Sequence, residues 1–200
     1  MPVKGIRIAL VNFTYGTNTK SSAEWPKINM LEKEEIHNSI QRAKDEGADL
    51  IIALPHWGVE YNLKHSRSQQ DLARYMVEEG ADLVVGAHPH VIQDTTHIDG
   101  VPVIYSMGNA VSNMSAKNTR LELMVKVNIV RGKDGANAKI LEPELEFMWC
   151  TLPGTLTDSY ATIPLKDYLG KKELWKQTYD YDNMVSTYEN VLDGTGIEIR

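Results

Sequence analysis

Apolar and polar positions along the chain follow two periods. Residues 5–13, GIRIALVNF, alternate and then run apolar, as a buried strand does. A turn rich in hydroxyl and amide groups, TYGTN, follows at 14–18. From Asn29 the period lengthens to that of a helix. Ile36, Ile40 and Ala43 share a face, Asn29 and Glu32 have capping-box spacing, and Gly47 stands where a left-handed C-cap belongs. A strand, DLIIAL, is predicted over 49–54. A second helix over 68–79 has Leu72, Ala73, Met76 and Val77 as its apolar stripe and Gly80 at its end. Another strand, DLVVGA, covers 82–87.

Strands that alternate with helices predict a parallel sheet with right-handed crossovers. After His90 the pattern changes. VIQDTTHI and VPVIYSM are joined by Asp99-Gly100, a hairpin signal, and LELMVKVNIV and AKILEPELEFMW flank a second turn at 132–136. The polar stretch 111–120 reads as a mobile loop, and beyond Cys150 the chain turns loop-like before amphipathic helices at 166–178 and 181–192. The expected class is therefore α/β, with parallel βαβ strands followed by antiparallel hairpins and C-terminal helices.

Composition adds exclusions. Two hundred residues suit one domain with a tail. No apolar run is long enough to span a bilayer, and the first residues make a poor signal peptide. The net charge is −6 and the basic residues are scattered, which argues against a nucleic-acid partner. Cys150 is the only cysteine, so it forms no internal disulfide and reads as a packed apolar side chain.

One echo stands out. EGADLIIALPHWG at 46–58 and EGADLVVGAHPHV at 79–91 each pass from a helix end through an apolar strand to histidine. In a parallel sheet, the loops leaving the carboxyl ends of strands line the ligand crevice. His56 lies past one such end, and His88 and His90 past another. Residues two apart in an extended chain point the same way, and Pro89 favours extension at His88. Three imidazoles at neighbouring strand ends suit a transition-metal ion; hydrogen-bonded structural histidines are the alternative. Glu60 is a candidate partner for an imidazole or a general acid/base, against a plain surface ion pair. Asn109, after Gly108, and Thr14 and Asn18 are ligand-loop candidates that serve equally as turn formers. Trp57 reads as core, and His37, His65 and His97 fall outside the pattern.

LPHWGVEY, then SQQDLARYMVEEGADLVVGAHPHVIQ, then DGVPVIYSMGN, together with TYGTN, resemble the CapA family of poly-γ-glutamate capsule biosynthesis proteins over about residues 5–150. The resemblance implies a fold similar to calcineurin-like metallophosphoesterases, a layered sandwich. It also implies divalent metal ions (Mn, Zn or Fe), with His88 and His90 as ligands and His56 as an isolated upstream ligand. One departure is Ala87, where the family usually has a further histidine. A larger one is the lack of the family's early Gly-Asp, Asn-Leu-Glu and Asn-Asn-His segments. The chain therefore resembles the C-terminal half of a CapA domain over 1–150, followed by a loop and helical tail at 151–200.

Three neutral imidazoles supply no charge to bridge two ions, so at most one ion, weakly held, is expected. The implied function is capsule or exopolymer biosynthesis with metal-assisted hydrolysis, in which Glu60 would be catalytic and Asn109, Asn18 and Thr14 would contact substrate. Two alternatives stay open: a non-catalytic polymer- or synthase-binding component with a relic metal site, and a mononuclear three-histidine zinc hydrolase. Expected partners are an N-terminal half, a second copy, or polymer-synthase components. The family resemblance suggests the cell envelope.

Overall fold

The computed structural model of the chain describes residues 2–17, 28–131 and 137–197. Asn18 and the turn expected at 132–136 lie outside them. The first strands are β1 (Pro2–Val3), β2 (Ile6–Thr14), β3 (Leu50–His56), β4 (Leu83–Val85), β5 (Thr95–Ile98) and β6 (Val101–Ile104). They form one sheet in the order β1-β2-β3-β4-β6-β5. β2, β3, β4 and β6 run parallel, while β1 and β5 are antiparallel to their neighbours. Asp99 and Gly100 close the β5–β6 hairpin, both at positive φ (49° and 81°), with Ile98 opposite Val101. Two positive-φ residues are what a tight I′ turn requires.

The helices α1 (Lys33–Asp45) and α2 (Arg67–Glu78) cover one face of this sheet. Ile36, Ile40, Ala73 and Met76 pack there against Ile51, Ala53, Val84 and Val103. The opposite face, with Leu83, Val85 and Ile104, packs on a second sheet. That sheet joins β11 (Ala161–Pro164), β10 (Glu144–Thr151) and β7 (Leu121–Lys126) in this order, all antiparallel. β8 (Ile129–Arg131) and β9 (Ala138–Ile140) pair separately. Strands buried on both faces explain why residues 50–54 and 83–85 read as unbroken apolar runs. The final helix α3 (Thr178–Thr195) lays Met184 and Val191 into the second core. It is tied down by fully buried Asp180, which pairs with Arg120 and accepts a hydrogen bond from Thr155 Oγ1 (2.8 Å).

The echo has a structural cause. Gly47 and Gly80 both take positive φ (77° and 107°) just past a helix. Gly47 N–H donates to Lys44 O and Ala48 N–H to Ala43 O; Gly80 N–H donates to Val77 O and Ala81 N–H to Met76 O. These are paired Schellman closures of the two helices. Next, Asp49 Oδ2 accepts from Arg7 N–H (2.7 Å) and Asp82 Oδ2 from Ile51 N–H (2.8 Å). Each aspartate thus bonds the start of the preceding strand and sets the register of its own. Glu-Gly-Ala-Asp-Leu is a repeated helix-to-strand joint.

Several expectations need correction. The first helix does not begin at Asn29: Asn29 pairs with β2, its carbonyl accepting from Thr14 N–H, and Glu32 occupies the N-cap position with no side-chain cap. Pairing of residues 29–31 with the end of β2 outweighs the capping-box spacing. The cap-box chemistry appears instead on α2, where Ser66 and Gln69 cap each other. Residues 166–177 form no α-helix but two short 3₁₀ turns, Leu165–Asp167 and Lys172–Leu174, and the helix starts only at Thr178. The chain beyond Cys150 is not all loop, since β11 pairs with β10. Residues 111–120 lack helix and strand but are pinned: Thr119 Oγ1 donates to Ala116 O (2.7 Å), and Ser112, Asn118 and Thr119 are buried. Cys150 is buried, as its composition suggested.

Candidate metal centre

The sheet order makes β3 and β4 neighbours, so their carboxyl ends bring His56 next to the turn carrying His88 and His90. Backbone bonds join the two ends: Ala87 N–H donates to Pro55 O and Trp57 N–H to Ala87 O, each 3.0 Å. The imidazole centroids of His56 and His88 lie 4.8 Å apart, and those of His88 and His90 6.0 Å apart. Ligand atoms of Glu60, His88 and His90 all fall within 4.8 Å of one another. His56 lies beside this group with its ring against His88. The structure thus gathers two histidines and a carboxylate into one ligand set, with the third imidazole alongside.

The route by which His88 and His90 meet differs from the expected one. The turn is not extended, because His88 has φ 103° and His90 has φ 61°. Tyr61 also takes positive φ (63°), and its N–H donates to Pro89 O (2.8 Å). Such backbone costs about 1–3 kcal/mol per residue and persists only where the surroundings enforce it. Gly86 supplies part of that enforcement. Its N–H donates to Ile104 O (2.7 Å), and a Cβ there would lie 2.1 Å from Tyr105 O and 2.4 Å from Trp57 Nε1. Trp57 is core, as expected, and its Nε1–H donates to Tyr105 O.

Asn109 acts on His90. Its amide NH₂ faces the carbonyls of His90 (3.2 Å) and Thr119 (3.1 Å), which fixes the amide orientation. Its Oδ1 then faces His90 Nδ1 at 2.9 Å, and a carbonyl oxygen there requires Nδ1 to carry the proton. In the neutral ring Nε2 would then carry the lone pair; it lies 3.7 Å from Glu60 Oε1. A metal-binding imidazole has this arrangement, one nitrogen donating to an oxygen and the other free for the ion. Glu60 meets His90 rather than a surface lysine or arginine.

The loop from Gly58 to Ser66 is braced from below. Buried Gln93 donates to Asn62 O (2.9 Å) and Lys64 O (3.1 Å), and Gln69 Nε2 donates to Gln93 Oε1 (2.7 Å). Burial pushes the His56 and His88 imidazoles below their ordinary pKa, and neighbouring imidazoles push further. Neutral rings are the form a cation requires. His37, His65 and His97 each face a carboxylate, of Glu79, Asp94 and Glu142 respectively.

The remaining candidates divide. Thr14 ends β2 opposite His56, but its hydroxyl donates to Gly16 O (2.8 Å) and so closes the turn. Asn18 lies outside the described residues. Two tyrosines were missed. Tyr15 lies with its ring centroid 4.5 Å from that of His88 and stacks near His56; Tyr61 stacks near His90 with centroids 6.1 Å apart. The strand-end rule that selected the histidines also reaches Tyr15, since β2 is the next strand over.

The donor set fits a divalent ion. Ligands held at about 2.1 Å around a tetrahedral centre stand about 3.4 Å apart. The His90–Glu60 separation of 3.7 Å is close to that, and exposed Glu60 can close the remainder by rotating its side chain. A set of one carboxylate and two imidazoles would suit one ion and not two, because two ions need more bridging negative charge.

The chain belongs to the bacterial capsule synthesis protein family, PGA_cap, whose family model matches residues 1–114. The capsule biosynthesis protein CapA of Bacillus anthracis is 33% identical over 132 residues, covering 64% of this chain and 32% of that protein. The PGA biosynthesis protein CapA of Bacillus subtilis (strain 168) is 32% identical over 135 residues, covering 66% of this chain and 35% of that protein. The chain thus spans about a third of the length of the curated relatives it matches. A crystal structure of a hypothetical protein from Thermus thermophilus aligns over 74% of this chain and 60% of that one, with TM-score 0.43 and 17% identity. A likeness at that level supports no assignment. The mixed α/β architecture is consistent with the metallophosphoesterase-like sandwich that the family resemblance implies. No helix among the described residues is long and apolar enough to cross a membrane.

Proposed function

We propose that this chain supplies a single divalent-cation site to a protein of capsule (poly-γ-glutamate) synthesis, and that the site assists hydrolysis or transfer at a phosphate, ester or amide bond. The observation that carries the reading is the convergence of Glu60, His88 and His90, with Asn109 holding His90 by its Nδ1. Glu60, His88 and His90 would hold the ion, and the chemistry it would supply there is Lewis-acid polarisation of the bond attacked and acidification of a water. Asn109 keeps His90 in the binding tautomer. The His56 ring lies against that of His88, where burial lowers its pKa. The cell envelope is the matching location.

The test uses the purified chain with added Mn²⁺ or Zn²⁺, assayed on p-nitrophenyl phosphate, bis-p-nitrophenyl phosphate and γ-glutamyl p-nitroanilide. Metal-dependent hydrolysis lost in His88→Ala supports the reading. A chain that holds its metal yet cleaves none of them overturns the catalytic part and leaves a metal-bearing binding component.

A further inference from the structure

The loop that carries Glu60 is held on two sides. Residues 89–94 hold its inner side: Pro89 O accepts from Tyr61 N–H (2.8 Å), Gln93 donates to Asn62 O and Lys64 O, and Asp94 N–H donates to Leu63 O (3.2 Å). Its outer side meets the carboxyl end of α3. Gly194 lies so close to Leu63 that a Cβ there would stand 2.3 Å from Leu63 Cδ1 and 3.3 Å from Leu63 Cβ. One residue further on, Lys64 Nζ donates to Thr195 O (3.0 Å). Leu63 thereby packs with the second core, although its loop follows a strand of the first sheet.

Neither contact serves the helix by itself. Gly194 stands in the last turn of α3, where glycine weakens a helix relative to alanine. The close approach of Leu63 is what the missing Cβ permits. Thr195 O is one of the last carbonyls of the helix, which take no partner within it, and Lys64 bonds it from the loop. The family match covers residues 1–114, so a helix outside that match reaches the ligand loop three residues from Glu60. Glu60 is the exposed member of the metal group, whereas His88 and His90 are half-buried. Its carboxylate is therefore placed by the loop backbone rather than by packing of its own side chain. We propose that the carboxyl end of α3 is a positioning element for the metal group. Gly194 against Leu63, and Thr195 O on Lys64, press the loop onto residues 89–94 and fix Glu60 opposite His90, so that metal affinity depends on the docking of this helix. The proposal rests on the metal-site reading above and names a control of that site.

The experiment compares the full chain with Gly194→Ala, Lys64→Met and Lys64→Arg. Zn²⁺ affinity is measured by competition with a chromophoric chelator, the visible spectrum is recorded on Co²⁺ loading, and amide exchange is followed on the metal-free chains. Gly194→Ala should bind Zn²⁺ about tenfold more weakly, as for other residues that orient metal ligands, and shift the Co²⁺ spectrum. Its Tyr61 amide should exchange faster than in the wild type while the β3 amides do not change. Lys64→Met should act in the same direction and less strongly. Lys64→Arg, which can still donate to Thr195 O, should restore the wild-type affinity. A purely structural glycine gives a different pattern: alanine strengthens α3 and leaves affinity, spectrum and Tyr61 exchange unchanged, and that result would overturn the proposal. If Gly194→Ala does not fold, the Lys64 variants decide, since no loss in Lys64→Met, or a loss that Lys64→Arg does not restore, would equally overturn it. A wild type that takes up neither Zn²⁺ nor Co²⁺ would strike at the metal-site reading instead, and Tyr61 exchange in the metal-free variants would still decide whether α3 positions the loop.

Discussion

Residues 46–58 and 79–91 begin alike and end differently. Through Glu-Gly-Ala-Asp-Leu the two segments do the same work: a Schellman closure at glycine, then an aspartate that bonds the preceding strand. Beyond that point they part. The first continues as regular β3 to His56, while the second stops at Val85 and coils through Gly86 into positive-φ histidines. Ala53 and Gly86 occupy equivalent places in the two copies. The shared half is scaffold, and the divergent half makes the site.

The largest break in that comparison should come from giving the second copy the residue of the first. Gly86→Ala drives a methyl into Tyr105 O and Trp57 Nε1, both buried. A loss of about 3 kcal/mol or more is expected by chemical denaturation. The reciprocal Ala53→Gly should cost only about 1 kcal/mol. Equal losses would mean that the two ends are not differently built.

Next in size is removal of a ligand. His88→Ala or His90→Ala should abolish stoichiometric metal binding, whereas His56→Ala should weaken it less, since His56 lies outside the converging group. Equilibrium dialysis with Zn²⁺ reads the difference, and a reversed order would transfer the site to the first copy. Asn109→Ala touches no metal ligand atom but frees the His90 tautomer. It should lower metal affinity by about 10–100-fold with little change in fold. Affinity unchanged from wild type would remove Asn109 from the site.

The smallest contrast is in pH dependence. The Arg7 backbone N–H, followed by charge from Arg131 and Arg7, holds the Asp49 carboxyl below its ordinary pKa, although slight burial opposes this. Its contribution is therefore present above about pH 3.8 and lost as pH falls through the lower folded value. Asp82 is shifted the other way, because burial outweighs the Ile51 N–H bond. The folded state holds that proton more tightly, so stability falls as pH rises from about 3.8 to the folded value. Asp49→Asn should thus flatten the acid limb of a stability–pH curve, and Asp82→Asn should flatten the limb just above it. Identical effects would show that the two joints are electrostatically equivalent.

What the sequence revealed follows from how local each signal is. Asp99-Gly100 names its own turn, the glycines at 47 and 80 name their caps, and the strand-end rule places His56, His88 and His90 together. The true start of α1 was hidden because the backbone of Asn29 is engaged by a strand distant in sequence, Thr14. β11 was hidden because a short segment at 161–164 becomes a strand only against β10. The role of Asn109 needed the loop 111–120 in place, since Thr119 O helps to orient the amide. Glu60 as part of the ligand set, and Tyr15 beside it, required the left-handed turn at 88–90, which Pro89 by itself argued against.

The most direct test is elemental mass spectrometry on the purified chain after Zn²⁺ loading and gel filtration, beside His90→Ala. One equivalent of zinc in the wild type and almost none in the variant is the predicted result. No retained zinc in the wild type, or equal zinc in both, would contradict a site built from Glu60, His88 and His90.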